Sequence, residues 1–324
     1  MQKIFISLLF CSFSAIFLAI FATTAHAQGE PTLNRYREMT GFDAPESIVG
    51  SGEFIYVSNV GKGEVLAKDT NGFISKVSKT TGIFVQKKLI AGLNGPKGMA
   101  IVKNTLYVTD IDRVLGYDLK TLKLTMEVSI AEAKFLNDIA VRDNNTLYIS
   151  DTKLNKIYEI NTTKKTAKAL NVKTPQGANG MVYVAAEKAL YINGFGSDGK
   201  KNGELAIIKK LDTDAPTYEA TAAKKGCMDG LCIPEKDIIV FSDWVGFEGK
   251  QGRINTYDPK TEMTRSVPLQ RAFGGPADFY FDIETSCFFI PLMLENKIWI
   301  QQIGGILTDR DFEDERPDFD YNKN

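Results

Sequence analysis

A small or polar cluster that runs into two short apolar strands occurs six times along the sequence, at intervals of 40 to 51 residues. In the third unit, residues 136–140 lead into residues 147–151, and most units continue into a third strand that ends in a polar hairpin. Short β runs at steady spacing, with Gly, Asn and Asp between them and no long amphipathic helix, are typical of all-β repeat proteins. Units of about 40–50 residues with four strands are the size of propeller blades. The sequence therefore predicts an all-β fold, a six-bladed β-propeller with four-stranded antiparallel blades around a central tunnel.

The two ends of the predicted propeller must meet to close the ring. Blade six shows clear strands only up to Ile303, so the segment from Leu33 to Met39 is predicted to add its outer strand. Such closure removes exposed sheet edges. We expect the propeller to span residues 28–307 and the acidic segment 308–324 to fray.

Residues 1–27 have the pattern of a secretory signal peptide. Lys3 precedes the apolar run Ile4–Phe21, and Ala25-His26-Ala27 forms a small-x-small cleavage site before Gln28. An uncleaved membrane anchor is the alternative, because the apolar run approaches spanning length. The pattern predicts a periplasmic or secreted protein that leaves the membrane after cleavage.

Charge and residue usage exclude several classes of function. The formal net charge is −1 without a basic stripe, so no nucleic-acid partner is expected. The single histidine, His26, lies in the segment predicted to be removed. The mature protein therefore cannot use a Ser-His-Asp triad, a histidine zinc site or a histidine proton shuttle. No disulfide is assigned among Cys227, Cys232 and Cys287, and the last two are expected to be buried free thiols.

Aligning the six strand starts places one residue of each blade at a common position. These residues are Glu46, Lys97, Asn137, Asn179, Asp229 and Ala277. In a propeller, this position crowds around one end of the tunnel. Two carboxylates and two amide oxygens suit a calcium ion, which takes six to eight oxygen ligands. The alternative is that each Asn or Asp is a turn residue bonded to its local backbone.

Three further features complete the predicted site. Lys97 would either orient substrate or form an ion pair with Glu46. A later column of Asn and Asp residues is expected to cap the turns into the third strands. Two Gly- and Lys-rich loops, residues 194–203 and 245–252, would shape a ligand mouth or a protein-binding rim, or remain plain solvated loops.

The strand starts resemble the regucalcin and gluconolactonase family of six-bladed propellers. Met228-Asp229-Gly230-Leu231-Cys232-Ile233 is similar to that family's Asp-Gly-Met-Cys-Ile segment, Ala178-Asn179-Gly180-Met181 to its Ser-Asn-Gly-Leu element, and Pro45-Glu46-Ser47 to its early glutamate motif. The resemblance spans residues 40–303. It implies that Glu46, Asn179 and Asp229 bind one divalent cation, usually calcium, and that Asn137 faces both metal and substrate.

One departure from the family concerns the ligand. The arginine that sugar-lactone enzymes carry two residues before the asparagine is Phe135 in this chain, which suits a more apolar substrate. The sequence thus predicts an exported, calcium-dependent hydrolase of a small lactone or related ester, with Asp229 as the base and Asn137, Lys97 and Phe135 contacting substrate. The alternative is a non-catalytic periplasmic propeller that binds a ligand or a protein and keeps a structural metal.

Overall fold

Six four-stranded antiparallel sheets form the part of the chain that the computed structural model describes, residues 36–197 and 200–303. The signal segment 1–27 and the tail 308–324 lie outside these described residues. Blade one comprises β2 (Pro45–Ser51), β3 (Phe54–Asn59), β4 (Gly72–Ser78) and β5 (Phe84–Leu93). Blade two comprises β6 (Pro96–Val102), β7 (Thr105–Asp110), β8 (Arg113–Asp118) and β9 (Leu124–Ser129). Blade three comprises β10 (Leu136–Asp143), β11 (Thr146–Asp151), β12 (Lys156–Asn161) and β13 (Thr166–Ala169).

The other three blades repeat this order from inner to outer strand. Blade four comprises β14 (Ala178–Val184), β15 (Ala189–Gly194), β16 (Ala206–Lys209) and β17 (Thr217–Ala220). Blade five comprises β18 (Met228–Glu235), β19 (Ile238–Asp243), β20 (Arg253–Asp258) and β21 (Met263–Ser266). Blade six comprises β22 (Tyr280–Asp282), β23 (Cys287–Leu292), the 3₁₀ turn η1 (Met293–Glu295), β24 (Lys297–Gln302) and, as its outer strand, β1 (Tyr36–Thr40). The predicted six-bladed β-propeller is confirmed.

Strand β1 closes the ring as the sequence predicts. It pairs antiparallel with β24, from Tyr36 opposite Gln301 to Thr40 opposite Lys297. The pairing is reinforced by the Tyr36 ring, which stacks on Trp299 with centroids 4.5 Å apart. The last blade is therefore built from both ends of the described chain, and its outer edge is covered.

Apolar side chains fill each of the six spaces between neighbouring blades. Between blades two and three, for example, Tyr107 and Val114 pack with Leu147 and Tyr158. Equivalent clusters lie between every other pair of neighbours, including blades six and one. Each blade thus buries both faces, which explains why the inner strands read as nearly continuous apolar runs.

The start of the inner strand is irregular in five blades. The register with the second strand shifts across Pro45–Ile48, Pro96–Met99, Leu136–Ile139, Ala178–Met181 and Met228–Leu231. Such a bulge removes ladder hydrogen bonds and re-aims side chains. The freed N–H of Asp138 is satisfied by the Ser150 hydroxyl at 2.9 Å, and that of Gly230 by Ser242 at 2.8 Å. In these two blades the bulge therefore re-aims Asn137 and Asp229, which line the cavity, while the freed N–H groups keep a hydrogen-bond partner.

The cysteines differ from expectation in their burial. Within the described residues all three are free thiols. Cys232 and Cys287 are only half-buried, and the buried one is Cys227, under the indole of Trp244. Both are free and lie in strands, as predicted, but the predicted burial was wrong because each packs against an apolar cluster from its margin and is not enclosed by it.

No helix in the described part of the chain is long and apolar enough to cross a membrane.

Candidate functional site

Four side chains at the bulged strand starts share one unusual property. Glu46 Oε2, Asn137 Oδ1, Asn179 Oδ1 and Asp229 Oδ1 are buried oxygens that have no hydrogen-bond partner. All four residues line the same cavity at one end of the tunnel. Buried polar atoms are nearly always paired, because an orphaned one costs about 1–3 kcal/mol. Four such oxygens lining one cavity form a set of acceptors suited to a cation or to hydrogen-bond donors of a ligand.

The donor set fits a hard divalent cation. Within the two described ranges, no group of three or more His, Cys, Asp or Glu side chains is placed to hold a metal ion. A cation at this cavity would therefore depend on the amide oxygens of Asn137 and Asn179 together with the carboxylates of Glu46 and Asp229. Carboxylate and amide oxygens are the ligands that calcium takes, and the turn interpretation of the two asparagines leaves their orphaned oxygens unexplained.

Trp244 orients the carboxylate of Asp229. The indole Nε1 donates to Asp229 Oδ2 at 2.9 Å, which leaves Oδ1 directed into the cavity. Burial raises the pKa of Asp229 to about 7, and the hydrogen bond from Trp244 opposes this rise. Burial, with a contribution from the nearby Asp229 charge, also raises the pKa of Glu46 well above its usual range. Both carboxyls are thus poorly solvated and lack a stabilising positive partner in direct contact.

Among the ion pairs of the described residues, none joins Lys97 to Glu46, the pair that the sequence left open. Its ammonium donates instead to the carbonyls of Gly95 at 3.1 Å and Val65 at 3.3 Å. It also lies 4.7 Å from the centre of the Phe135 ring. Burial lowers the pKa of Lys97, partly offset by the charges of Glu46, Asp110 and Asp229. Lys97 and Phe135 both line the cavity, and their contact with substrate stays a prediction.

Asn137 is held by one end of its amide only. Its Nδ2 donates to the Thr152 hydroxyl at 3.1 Å, and that hydroxyl donates to the carbonyl of Ala178 at 2.8 Å. This relay, from blade three to the first residue of the next inner strand, fixes the orientation of the amide. The Oδ1 of Asn137 is left buried and without a hydrogen-bond partner, in a residue that lines the cavity beside the other three.

Two further carboxyls, which sequence reasoning did not single out, follow the aligned strand-start position by one residue: Asp138, which is buried, and Asp278, which is half-buried. Asp138 accepts from the backbone N–H groups of Ile139 and Met181, both at 2.6 Å, and burial raises its pKa to about 6. Asp278 accepts from the Ser47 hydroxyl at 2.5 Å, and burial raises its pKa. Each carboxyl links its inner strand to that of the next blade, so both act as ties between blades beneath the cavity.

The later column of Asn and Asp residues holds the loops that lead into the inner strands. Asp110 accepts from the N–H groups of Asn94 and Gly95, and Asp151 from that of Lys134. Asp151 also accepts from Lys153 and Leu154, which is the turn-capping role expected. These bonds hold the segments just before β6, which carries Lys97, and β10, which carries Asn137.

The walls of the cavity are apolar, and most of their residues were not predicted. The cavity holds about 230 Å³ above the polar floor. Its wall consists of Val65, Phe135, Phe195, Trp244, Phe247 and Met293, with Thr152 beside Asn137. Phe195 and Phe247 belong to loops 194–203 and 245–252, whose length in the sequence suggested a ligand mouth. Val65 and Met293 carried no comparable signal.

Comparison with known proteins supports the fold and goes no further. No protein-family model matches the chain, and no curated protein matches it. Among solved structures, it is similar to a catalytically inactive virginiamycin B lyase from Staphylococcus aureus with quinupristin, at 15% identity and a TM-score of 0.55, over 83% of this chain and 99% of that one. It is similar to a streptogramin B lyase at 16% identity and a TM-score of 0.52, over 83% and 98% of the two chains.

A third similar structure belongs to an unrelated activity. Kuenenia stuttgartiensis hydrazine synthase matches at 15% identity and a TM-score of 0.56, over 82% of this chain and 76% of that one. At such identities the likeness shows the propeller fold alone, because this fold carries many functions. The function must therefore be argued from the cavity itself.

Proposed function

We propose that this chain is an exported, calcium-dependent hydrolase of a lactone or related ester. One divalent cation would be held by Glu46, Asn137, Asn179 and Asp229, and a small-molecule substrate would lie in the cavity above them. The observation that carries the proposal is the set of four buried, unpartnered oxygens on the cavity floor. Their two negative charges balance a divalent cation and lower the cost of burying all the charges.

The bound cation would supply Lewis-acid polarisation of the carbonyl oxygen. Asp229 would take the proton of the attacking water. A carboxylate offers about four lone-pair sites, so the bond from Trp244 leaves room for this proton. Lys97 has three donors, two of which go to backbone carbonyls, and its ammonium also lies over the Phe135 ring. Its positive charge at the wall of the cavity would support the negative charge that develops on the substrate.

Turnover by variants of Asp229 tests this assignment. Rates on a panel of lactones, aryl esters and phosphotriesters are measured in calcium and in chelator. Hydrolysis is identified by mass, since a lactone gives one hydroxy acid heavier by one water, and an ester or phosphotriester gives an acid and an alcohol whose masses sum to substrate plus one water. Asp229→Asn should lower the rate by about 100-fold, the scale of a general base, while keeping weakened calcium binding. Asp143→Asn, at an exposed hairpin of blade three, is the matched control. Near-wild-type turnover by Asp229→Asn at saturating calcium would rule out its role as the base.

A non-catalytic binding propeller with a structural metal is the second candidate. It is favoured by exposed apolar residues at and beside the cavity: Val65 and Leu66 in one loop, Phe247 in another and Leu294 in η1. Such a patch is typical of surfaces that contact a ligand or another protein. If calcium stabilises the chain but no member of the panel is hydrolysed, this function replaces the first.

A further inference from the structure

The side of the cavity formed by blades four and five is a corner of three aromatic rings. Trp244 lies 5.3 Å from Phe195 and 5.7 Å from Phe247, measured between ring centroids, and Phe195 lies 5.7 Å from Phe247. The interplanar angles run from 53° to 80°, so no two of the rings are stacked face to face. Tilted and edge-to-face contacts leave ring faces open. We call this group, Phe195, Trp244 and Phe247, the aromatic corner.

Phe247, the outermost ring of the corner, keeps a large exposed fraction. Phe247 remains 56% exposed although it touches two other aromatic rings. It stands in a loop between Gly246 and the positive-φ residue Gly249. Leaving a phenyl ring half in water forgoes part of the free energy that its full burial would provide. The corner therefore presents aromatic surface that a further apolar group could bury.

The loop that carries Phe247 is fixed at both ends. At its start, the Val245 N–H donates to Asp243 Oδ1 at 2.9 Å. At its end, Gly252 and Phe273 exchange two backbone hydrogen bonds of 2.8 Å, and the Lys250 ammonium lies 3.0 Å from Glu295. A ring on a loop anchored in this way is pre-organised, so a ligand does not have to order it.

Trp244 joins the aromatic corner to the polar floor through a single side chain. Its indole nitrogen bonds Asp229, and the same ring contacts both phenylalanines. The two regions are thus separated by no more than the width of an indole. On the other side of the cavity, the face of Phe135 already receives the Lys97 ammonium, so the corner is where apolar surface remains free.

We infer that the aromatic corner is a binding subsite for an aromatic ring that lies only a few bonds from the carbonyl group held at the floor. The inference rests on the proposed function for the identity of that carbonyl head. It assigns the substrate class as small, uncharged aryl or arylalkyl esters and benzo-fused lactones. A cavity of about 230 Å³ is smaller than drug-sized pockets and suits one single or fused ring system. Polyhydroxylated sugar lactones are disfavoured, because the apolar wall would leave their hydroxyls unpaired.

Binding of amide probes tests the subsite without requiring turnover. The described chain has two tryptophans, and Trp299 packs on Tyr36 in the outer part of blade six. A Trp299→Phe background makes Trp244 emission the reporter, with the wild type as a second measurement. Phenylacetamide, cyclohexylacetamide and acetamide are titrated in calcium. We expect phenylacetamide to bind at least tenfold more tightly than acetamide and several-fold more tightly than cyclohexylacetamide.

Phe247→Ala should weaken phenylacetamide binding about tenfold and leave acetamide binding unchanged. Ile283→Ala removes a similarly exposed apolar side chain from the β22–β23 hairpin and should change neither. Because Phe247 is exposed, its variant should fold, which melting curves verify. Equal affinity for phenylacetamide and acetamide, equal affinity for phenylacetamide and cyclohexylacetamide, or an unchanged phenylacetamide affinity in Phe247→Ala would overturn the inference.

The subsite and the hydrolase can fail separately. Phenylacetamide binding of the expected pattern, with no hydrolysis of ethyl phenylacetate or any other ester, would support the subsite and refute the proposed function. Hydrolysis of aliphatic lactones together with phenylacetamide that does not bind would refute the subsite alone.

Discussion

Because the side-chain oxygen of Asn179 is buried without a partner, an apolar substitution there is predicted to stabilise the fold when calcium is absent. Asn179→Leu replaces a buried amide of similar size with an apolar side chain and so removes an unpartnered carbonyl oxygen. In chelator, this should stabilise the fold by about 1–3 kcal/mol. The lost contact with the Asp229 carboxyl offsets about 1 kcal/mol of that gain. A net gain of about 1 kcal/mol corresponds to a rise of roughly 2–4 °C in Tm.

Calcium should reverse the order of the two melting temperatures, so that the wild type becomes more stable than Asn179→Leu. At a calcium concentration of about one hundred times Kd, a site present only in the folded state adds about 2.7 kcal/mol. The wild type should then gain roughly 5–10 °C in Tm. Asn179→Leu lacks one ligand and should gain little. Thermal unfolding followed by circular dichroism in chelator and in calcium measures both effects.

Asn193→Leu is the matched control, in the same blade. Asn193 is also buried, but its Oδ1 accepts from the Gly180 N–H at 3.0 Å and its Nδ2 donates to the Gly230 carbonyl at 3.2 Å. Leucine at this position would leave the Gly180 N–H and the Gly230 carbonyl without these partners. It should lower the free energy of unfolding by about 2–4 kcal/mol with or without calcium. If Asn179→Leu lost as much stability in chelator as Asn193→Leu does, the argument from orphaned oxygens would be refuted. A calcium shift that survives in Asn179→Leu would place the cation elsewhere.

Three other predictions follow from separate parts of the molecule. Asn137→Ala should raise KM for hydrolysed esters more than it weakens calcium binding, because the Thr152 relay orients its amide toward substrate; equal losses in both measurements would contradict this. Glu295 is bonded by both Arg271 Nη atoms at 2.9 Å, and despite burial these bonds lower its pKa to about 2. The ionised Glu295 carboxylate should contribute about 2 kcal/mol to the free energy of unfolding, a figure already reduced for solvent screening. This contribution should be complete above about pH 5 and be lost as pH falls toward 2. The difference in unfolding free energy between wild type and Glu295→Gln, from urea titrations at pH 7 and pH 3, should shrink by about half, and a constant difference would contradict the assignment. Mass spectrometry of the exported protein should place the mature N-terminus at Gln28, and an intact N-terminus in the membrane fraction would favour the anchor.

The fold and the floor of the site could be predicted because both follow the repeat. Once six equivalent strand starts are aligned, Glu46, Asn137, Asn179 and Asp229 fall at one position, and propeller geometry brings that position together. The interaction of Lys97 could not be predicted in the same way. Its ammonium reaches carbonyls of a loop and of its own strand start rather than Glu46, which depends on the path of residues 60–71 between β3 and β4.

The walls of the cavity escaped sequence reasoning for a physical reason. Val65, Phe195 and Phe247 lie in connections between strands, where no periodicity fixes the direction of a side chain. Trp244 follows β19 directly, but its hydrogen bond to Asp229 depends on the bulge at the start of β18, which shifts the register between Met228 and Leu231. Loop length alone indicated a mouth, and only the three-dimensional structure shows that the mouth is aromatic.

The floor and the walls of the cavity differ in how well they can tolerate substitutions. Three of the floor residues sit on bulged inner strands where an N–H group is satisfied by a side chain of the second strand of the same blade, so moving the backbone of such a residue would disturb that bond. The aromatic corner is built differently, since two of its three rings stand on loops outside the blade ladders. Changing Phe195 or Phe247 breaks no sheet hydrogen bond. Ligand preference can therefore vary through the loops while the four oxygens, and the cation chemistry proposed for them, stay in place.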